Sequence, residues 1–510
     1  MSSSLSRREV LRLLSFLSAG AAGVASVPLI GELFASKATA QTSSVYVRES
    51  IATFMQSPTK IAALRRGIQV MQSRSSSNPT SWIYQANMHG IPSNESRRLT
   101  AWGTCNHGSF FFFPWHRMYL YYFERILRQA SGDSTLALPY WNYSDFPDQR
   151  TLPEAFRNRL LPDGSTNSLY VEQRAPGINQ GTTALASAEV SYEGAFQRTN
   201  FFHTSSGQQS FGGRRATSAM HRGSGGGLLE GRPHNQVHVV VGGSSGWMRQ
   251  VEMAARDPIF WLHHANIDRL WERWLLLGNG RANPTNDSDW MSDRFTFFDE
   301  NARQVTMRGR DILNTVQQLN YRYDDAPLGN QVLVNGMSDA NRSTQQTTTT
   351  PQLLATTPIN NQQMLVELRE APVTLNLRFP QSQGVRPFSS SRTITAGSVT
   401  LNVEKVEYNP RNSIPYEVYI NLPQGVPPDR NSPYYVGRLA LFAHPQKATF
   451  SLDITEAVSE LQRLNLITGD SISVTFVPPG GEMNAMQRTE RTREAPGVVR
   501  FERVTITTTN

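Results

Sequence analysis

Seven of the ten histidines in the chain fall into two groups on segments of helical character, and this grouping constrains the fold more than any other feature. In the second group, His234 and His238 stand four residues apart, so both imidazoles lie on one helix face. His263 and His264 are adjacent, and consecutive helical residues point about 100° apart, so only one of them faces the same metal. Each group therefore supplies three ligands. The first group is His89, His107 and His116, and the second is His234, His238 and one residue of the adjacent pair.

The donor types limit the metal that such sites bind. Imidazoles without thiolate or carboxylate partners suit copper, zinc, nickel or iron, and the affinity order of divalent metals favours copper. A three-histidine zinc site of a hydrolase is the chemical alternative, which spacing does not exclude. The single cysteine, Cys105, excludes a disulfide scaffold, a cysteine-based zinc site and an iron–sulfur cluster.

The periodicity of apolar residues changes near the middle of the chain. Residues 41–335 are aromatic-rich with helical patterns, and 38% hydrophobic residues overall are enough for a core. Residues 336–363 are rich in Ser, Thr, Asn and Gln, which predicts a linker. In residues 364–510, apolar and polar residues alternate in short runs between Pro, Gly and Asn turns, which predicts a β-sandwich. The predicted fold is therefore a mainly α catalytic domain followed by an all-β domain.

Two long helices are predicted around the histidines. Asn106-His107-Gly108 is expected to open a helix that continues to Gln129. Asp257-Pro258 is expected to open another that continues to Leu277, with Asp as the N-cap and Pro at the first helical position.

The first forty residues have the pattern of an export signal. Arg7 and Arg8 precede an apolar, small-residue run from 13 to 30, and Ala38-Thr39-Ala40 is a small-x-small cleavage pattern. Twin arginines predict a Tat signal peptide over residues 1–40 and a periplasmic or secreted protein. An ordinary secretory signal or an N-terminal anchor is the alternative, although Gly and Pro residues make this run a poor membrane span.

The charge pattern does not indicate nucleic acid as a partner. The net charge of +8 is modest for 510 residues and is not concentrated in a Lys/Arg run.

The motifs around the histidines resemble those of the type 3 dicopper proteins, namely tyrosinases, catechol oxidases and molluscan haemocyanins. The resemblance covers residues 45–325 and depends on His107-x8-His116, His234-x3-His238 and the Asp-Pro-Ile-Phe-x-x-His-His-x-x-x-Asp-Arg-x-Trp stretch from Asp257. The C-terminal part is similar, more weakly, to the sandwich domain of plant-type polyphenol oxidases, which follows a Tyr-x-Tyr element matched by Tyr321-Arg322-Tyr323. The resemblance implies two copper ions, one held by His89, His107 and His116 and the other by His234, His238 and His264.

The resemblance also implies roles for residues around the ligands. Cys105-Asn106-His107 matches the Cys-x-His pattern that forms a thioether in several members, and a free buried thiol is the alternative. Glu230 and Asn235 match the pair that holds a proton-accepting water in tyrosinases, and a helix-start Glu with a solvated Asn is the alternative. Val251 occupies a position where plant catechol oxidases place a bulky Phe, so we expect Val251 and Phe260 to form the substrate gate. Asp268 either orients the site or forms a surface salt bridge.

The predicted function is that of a tyrosinase, which converts monophenols to o-diphenols and then to o-quinones with O2. A catechol or o-aminophenol oxidase that lacks the first step is the alternative, and a haemocyanin-like O2 carrier is a further one. The predicted partners are phenols and O2. His203, His221 and His444 are expected to have surface or packing roles, and residues 223–227 to form a flexible loop.

The β-sandwich is predicted to restrain the enzyme. In plant-type relatives this domain covers the dicopper pocket and is removed by proteolysis, and the polar segment 336–363 is a suitable cleavage site. A permanent stabilising domain is the alternative, since the sequence does not identify a residue that enters the pocket.

Overall fold

The computed structural model describes most of the chain after the predicted signal peptide. The described residues are 45–205, 208–326, 352–357, 365–379, 398–409, 413–442, 447–467, 471–479 and 497–509. The predicted signal peptide of residues 1–40, most of the predicted linker and His444 lie outside them. We call residues 45–326 the helical domain and the described residues from 352 onward the β-domain.

The helices with α geometry are, in chain order, α1 (Ile51–Phe54), α2 (Pro58–Ser73), α3 (Trp82–His89), α4 (Phe112–Ser131), α5 (Ser187–Val190), α6 (Glu193–Phe196), α7 (Gln236–Gly242), α8 (Val251–Ala254), α9 (Pro258–Leu276), α10 (Ser288–Ser292) and α11 (Thr455–Arg463). A π-helical segment, Glu230–Asn235, leads into α7, and short 3₁₀ turns occupy Pro147–Gln149, Glu154–Phe156, Trp247–Arg249 and Gly309–Asp311. Among the described residues, no helix is long and apolar enough to cross a membrane.

Helices α4 and α9 form the centre of the helical domain. Both are buried on nearly all faces, which is typical of core helices. Helix α9 begins as predicted, because the Asp257 side chain accepts a hydrogen bond from the Ile259 N–H (3.1 Å) and Pro258 occupies the first position.

The predicted start of the first long helix is wrong. Helix α4 begins at Phe112 rather than near Asn106, which leaves His107 on a loop. Gly108 has a φ of +69°, outside the right-handed helical region, so this segment cannot be helical.

The strands are β1 (Tyr46–Arg48), β2 (Phe202–His203), β3 (Gly213–Arg214), β4 (Phe295–Phe298), β5 (Gln304–Met307), β6 (Tyr321–Tyr323), β7 (Gln352–Thr356), β8 (Val366–Leu368), β9 (Val373–Arg378), β10 (Ser398–Val406), β11 (Glu417–Ile420), β12 (Tyr435–Arg438), β13 (Ala448–Asp453), β14 (Ser471–Val477), β15 (Val499–Phe501) and β16 (Arg503–Thr509). In the helical domain, β1 pairs in parallel with β6, and β4 pairs antiparallel with β5.

The β-domain is built on one eight-stranded antiparallel sheet. Its strand order is β12-β11-β14-β9-β7-β16-β10-β13, and β8 and β15 form a separate pair. Apolar side chains from all ten strands join one buried cluster, so the two halves of the large sheet face the same core. This arrangement agrees with the predicted sandwich.

The predicted linker is wrong over residues 352–356. This segment forms β7, which pairs with β16 and buries Ala355. Its Gln and Thr residues suggested a solvated linker, but Thr also suits a half-buried strand, and the distant β16 supplies the partner for its backbone.

Candidate metal centre

The first group of histidines forms a buried triad. His89 ends α3, His107 lies on the loop before α4, and His116 lies in the first turns of α4. The ring centroids are 5.2 Å apart for His89 and His107, 5.2 Å for His107 and His116, and 5.7 Å for His89 and His116. Three imidazoles at these separations can surround one metal ion.

The second group forms another triad beside the first. His234 lies in the π-helical segment, His238 on α7 and His264 on α9. Their ring centroids are 4.6 Å (His234–His238), 4.9 Å (His234–His264) and 5.5 Å (His238–His264) apart. The ring of His264 also stacks on that of His116, with centroids 4.6 Å apart. The two triads therefore adjoin, as a paired metal centre requires.

Backbone carbonyls fix the ring orientation of three of these histidines. The Nδ1 atoms of His89, His116 and His238 lie 2.7–2.8 Å from the carbonyl oxygens of Val251, Phe112 and Met248, respectively. Because a carbonyl only accepts, each Nδ1 carries the proton and each Nε2 keeps a lone pair for a metal. The Nε2 atoms of His89, His107 and His116 are buried without a hydrogen-bond partner among the described residues. These atoms fit the role of metal ligands.

Burial keeps the histidines neutral. Desolvation lowers the pKa of His89 to about 3, and it lowers the pKa values of His107, His116, His238 and His264 well below their usual range, with mutual repulsion adding to the effect. Neutral imidazole is the form that binds copper, so no proton has to be removed when the ion enters.

His263 lies close to the second triad as well. Its ring centroid is 5.3 Å from that of His234 and 4.9 Å from that of His238, and its Nδ1 is 2.7 Å from the Tyr143 hydroxyl oxygen. The choice of His264 over His263 as the ligand therefore stays a prediction, supported by the stacking of His264 between the two triads.

Three family models match successive parts of the chain. The common central domain of tyrosinase matches residues 79–277, the polyphenol oxidase middle domain matches residues 285–330, and a domain of unknown function matches residues 356–489. Tyrosinase HcTyr1 of Hahella sp. (strain CCB-MM4) is 30% identical over 81% of this chain and 91% of its own length. The chain belongs to the tyrosinase family. It is a copper oxidoreductase with a dicopper centre.

Plant members of the family are nearly as similar to this tyrosinase-family protein. Polyphenol oxidase E of Solanum lycopersicum is 29% identical over 81% of this chain and 70% of its own length, and catechol oxidase B of Solanum tuberosum is 28% identical over 82% and 71%. The fold agrees with those of latent apple tyrosinase (TM-score 0.59, 24% identity, 92% of this chain and 98% of that chain) and of recombinantly expressed latent aurone synthase (TM-score 0.60, 22% identity, 92% and 90%).

Glu230 and Asn235 are both buried. Glu230 begins the π-helical segment, as the alternative supposed, but the solvated Asn235 of that alternative is wrong. One carboxylate oxygen of Glu230, Oε1, accepts a hydrogen bond from the Gly108 N–H (2.8 Å), and the other, Oε2, has no partner among the residues described. Burial raises the pKa of Glu230 to about 8. The side-chain oxygen of Asn235 lies 2.8 Å from Nδ1 of His234, so Asn235 orients this histidine.

The two predicted gate residues contact the histidines. The ring of Phe260 lies 4.1 Å from that of His264 and 4.8 Å from that of His89, centroid to centroid. Val251 is buried, and its carbonyl is the oxygen that holds His89.

The structure brings Cys105 to His107, as the Cys-x-His motif requires. The sulfur lies 3.3 Å from Nδ1 of His107 and is completely buried, and burial raises the pKa of the thiol well above its usual range. The sulfur also lies 3.1 Å from Nδ1 of His221. Sequence reasoning missed this contact, because His221 has no spaced histidine partner and the chain between the two residues is long.

Asp268 is buried, so the alternative of a surface salt bridge is wrong. It lies one turn beyond His264 and is bound by Arg117 (2.6 Å), Tyr321 (2.5 Å) and Tyr323 (2.7 Å), with Arg48 at 3.4 Å. Arg117 follows His116 on α4. This ion pair therefore ties the helix of one triad to the helix of the other, which agrees with an orienting role.

A residue of the β-domain enters the centre. The ring of Phe442 stacks on that of His238 with centroids 4.0 Å apart and an interplanar angle of 14°. It also lies 5.7 Å from His234 and 5.8 Å from His107, and only 1% of it is exposed. Phe442 belongs to the apolar core of the helical domain although its neighbour Leu441 belongs to that of the β-domain.

Buried polar contacts attach the β-domain next to Phe442. Glu189 of α5 is fully buried and binds the Arg438 guanidinium (3.0 Å) and the Tyr435 hydroxyl (2.7 Å) of β12. The side chain of Gln236 accepts from the Arg438 N–H and donates to its carbonyl, at 3.0 and 2.8 Å. The loop after β12 thus starts from an anchored strand.

Proposed function

We propose that this protein oxidises phenols with O2, converting monophenols to o-diphenols and o-diphenols to o-quinones. The observation that carries the proposal is Glu230, a carboxylate buried beside the six-histidine centre and bound to the Gly108 N–H, next to His107. Hydroxylation of a monophenol begins with the loss of the phenol proton, which a carboxylate at this position is suited to accept.

The residues around the histidines have separate roles in this reaction. Copper held by the six histidines supplies the reduction of O2. Glu230 in its ionised form accepts the phenol proton, directly or through one water. Asn235 holds His234 in place, and Phe260 limits the space beside His89 and His264.

Oxygen uptake by protein of measured copper content tests this function. With two coppers per chain by elemental analysis, we expect steady uptake with a monophenol and with a catechol. Uptake with catechols alone would support the catechol oxidase alternative. No uptake with any phenol, from a centre that still binds O2, would support the carrier alternative, and zinc with hydrolytic activity would overturn the proposal.

The Glu230→Gln variant tests the role of the base. We expect monophenol turnover to fall about 10²-fold or more, the usual contribution of a general base, while catechol turnover stays within a few-fold of the parent. Equal losses on both substrates would contradict a role in the monophenol step.

The proposal includes latency imposed by the β-domain. Phe442 occupies the space above His238 that a phenol needs in order to reach the centre, and both structural neighbours named above are latent forms. Cleavage between residues 326 and 352 of the full-length protein should raise turnover on a bulky catechol. Equal turnover before and after cleavage, in soluble protein with two coppers, would support a permanent stabilising domain instead.

The proposal also includes a thioether between Cys105 and His107, supported by the 3.3 Å separation of Sγ and Nδ1. Peptide mass spectrometry should show the loss of two hydrogens, with Cys105 unreactive to alkylation under denaturing, reducing conditions. Quantitative alkylation of Cys105 would contradict the crosslink.

Export by the Tat pathway completes the proposal and is supported by the twin arginines Arg7 and Arg8. Replacing both with lysine should retain the protein in the cytoplasm of a Tat-competent bacterium. Export of this variant at the parent rate would favour an ordinary secretory signal.

A further inference from the structure

A glycine-rich strap, which we define as residues 220–225, lies along the Cys105–Gly108 segment. The Met220 N–H donates to the Asn106 side-chain oxygen (2.7 Å), the Gly223 N–H to the His107 carbonyl (2.7 Å) and the Gly225 N–H to the Gly108 carbonyl (2.9 Å). The strap overlaps residues 223–227, which the sequence predicts to be a flexible loop, but these contacts hold it against the loop that carries one histidine of the centre.

Glycine is required where the strap crosses this segment. A Cβ atom added to Gly108 would lie 2.0 Å from the Gly223 carbonyl oxygen, and one added to Gly223 would lie 2.4 Å from the Gly108 carbonyl oxygen. Cβ atoms in proteins do not come this close to other heavy atoms, so only glycine fits at these two positions. The strap therefore has a fixed position relative to Cys105 and His107.

His221 of the strap contacts two atoms of Cys105. Its Nδ1 lies 3.1 Å from the Cys105 carbonyl oxygen and 3.1 Å from the Cys105 sulfur. Because the carbonyl can only accept, Nδ1 carries the proton, and this N–H points at the cysteine. The sulfur thus lies between two imidazoles, with Nδ1 of His107 3.3 Å away.

We propose that His221 is a positioning residue for the Cys105–His107 thioether, since it holds the sulfur in the orientation that faces the His107 ring. The inference rests on the proposed oxidase function, which supplies the reaction with O2. Without His221 the cysteine side chain is free to rotate about its Cα–Cβ bond, and bond formation loses the favourable geometry that a held reactant provides.

The crosslinking reaction balances with O2 as the oxidant. The S–H bond of Cys105 and the Cε1–H bond of His107 break, and an S–Cε1 bond forms. The two electrons and two protons released convert O2 to hydrogen peroxide. Copper in the centre supplies the electron transfer to O2, and His221 remains chemically unchanged.

Two polar variants of His221 separate positioning from general packing. The amide nitrogen of Asn takes the place of imidazole Nδ1 and can donate to the Cys105 carbonyl, whereas that of Gln takes the place of Nε2 and cannot. Full-length, copper-free protein is loaded with copper in air, and the crosslink is followed over time by peptide mass and by alkylation of Cys105. We expect His221→Gln to crosslink at least about tenfold more slowly than the parent, and His221→Asn to recover most of the rate.

His203 provides a matched control. It is a buried histidine whose Nδ1 contacts Ser210 (2.8 Å) rather than Cys105, so His203→Gln should crosslink at the parent rate. Equal crosslinking rates in His221→Gln and the parent, or equally slow rates in the Asn and Gln variants, would overturn the inference.

Measuring oxygen uptake with catechol on the same parent sample separates failure of this inference from failure of the proposed oxidation of phenols. A parent that oxidises catechol but keeps a fully alkylatable Cys105 would overturn this inference together with the crosslink, and would leave the proposed oxidation of phenols intact. A parent that binds two coppers and oxidises no phenol would overturn both, because the oxidising chemistry would then be missing.

Discussion

The ring of Phe442 stacks on the ring of His238, with centroids 4.0 Å apart. The two residues belong to different domains, and the contact covers a candidate copper ligand with a side chain that carries no donor atom. An aromatic ring in this place resembles a phenolic substrate in shape and in the surface it offers to the imidazole. Under the proposed latency, the β-domain competes with substrate for this position.

Removing the ring should activate the full-length protein without proteolysis. In Phe442→Ala a larger fraction of molecules has an accessible centre, and the apparent affinity for substrate rises with that fraction. We therefore expect turnover on a bulky catechol at low concentration to increase about tenfold. The truncation also costs about 3–5 kcal/mol of stability, which calorimetry monitors.

Leu441→Ala is the control for this variant, because Leu441 is also buried but packs in the β-domain core. It should lower the melting temperature without activating the enzyme. Equal activation by both variants would mean that loosening of the β-domain, not removal of the ring, exposes the centre.

The anchor of the β-domain gives a second prediction. Glu189→Gln leaves Arg438 buried without its full counter-charge, and breaking such a buried pair costs about 3–5 kcal/mol. We expect higher activity on bulky catechols before proteolysis and a lower melting temperature. Glu460→Gln, which removes the partner of Arg463 on the exposed face of α11, should change neither property. Unchanged latency in Glu189→Gln would show that this pair does not hold the domain in place.

The grouping of the histidines can be predicted from the sequence because it depends on local spacing and helix capping. His234 and His238 share a helix face by spacing alone, and Asp257-Pro258 marks the start of α9 by capping chemistry. The spacing could not show that His107 precedes its helix, since this depends on the close approach of Gly108 to the distant Gly223.

The contacts that sequence reasoning missed all depend on long-range packing. Phe442 follows the core residue Leu441 in an apolar run, and this pattern predicts that it packs in the core of the β-domain as well. For Asp268 the sequence leaves an orienting role and a surface salt bridge open, and the buried position follows only from the placement of Arg48 and Arg117 around it. His221 lacks a partner at helical spacing and meets Cys105 only when the strap folds back. Each residue has an ordinary local environment and acquires its role from a distant part of the chain.

Copper counting decides which residue of the histidine doublet is a ligand. His264→Ala removes one of three donors from the second triad, and we expect the copper content to fall from two per chain to about one. His263→Ala, its matched control, should keep two coppers, because His264, and not His263, is the residue whose ring stacks on that of His116 in the first triad. The opposite result, with copper lost only in His263→Ala, would reverse the assignment.

Asp268→Asn tests the tie between the two triads. The variant keeps the shape of the side chain but removes the charge that compensates Arg117 and Arg48, so we expect a loss of about 3–5 kcal/mol in stability. Because Arg117 and Asp268 are on the helices of His116 and His264, copper should also dissociate faster in a chelator competition. Copper release at the parent rate, despite lower stability, would confine Asp268 to a structural role.

The last prediction concerns the dependence of stability on pH in copper-free protein. Burial raises the pKa of Glu230 from 4.5 to about 8, so the folded chain binds a proton more tightly than the unfolded chain. The stability that this provides is complete below pH 4.5 and is lost as the pH rises to about 8, and a change of this size corresponds to roughly 5 kcal/mol. Glu230→Gln, which cannot ionise, should melt at nearly the parent temperature at pH 5 and well above it at pH 9. The exposed Glu154→Gln should show no such difference. A constant gap between Glu230→Gln and the parent across this range would mean that Glu230 is not ionising in the folded protein, and its assignment as the base for monophenols would fail with it.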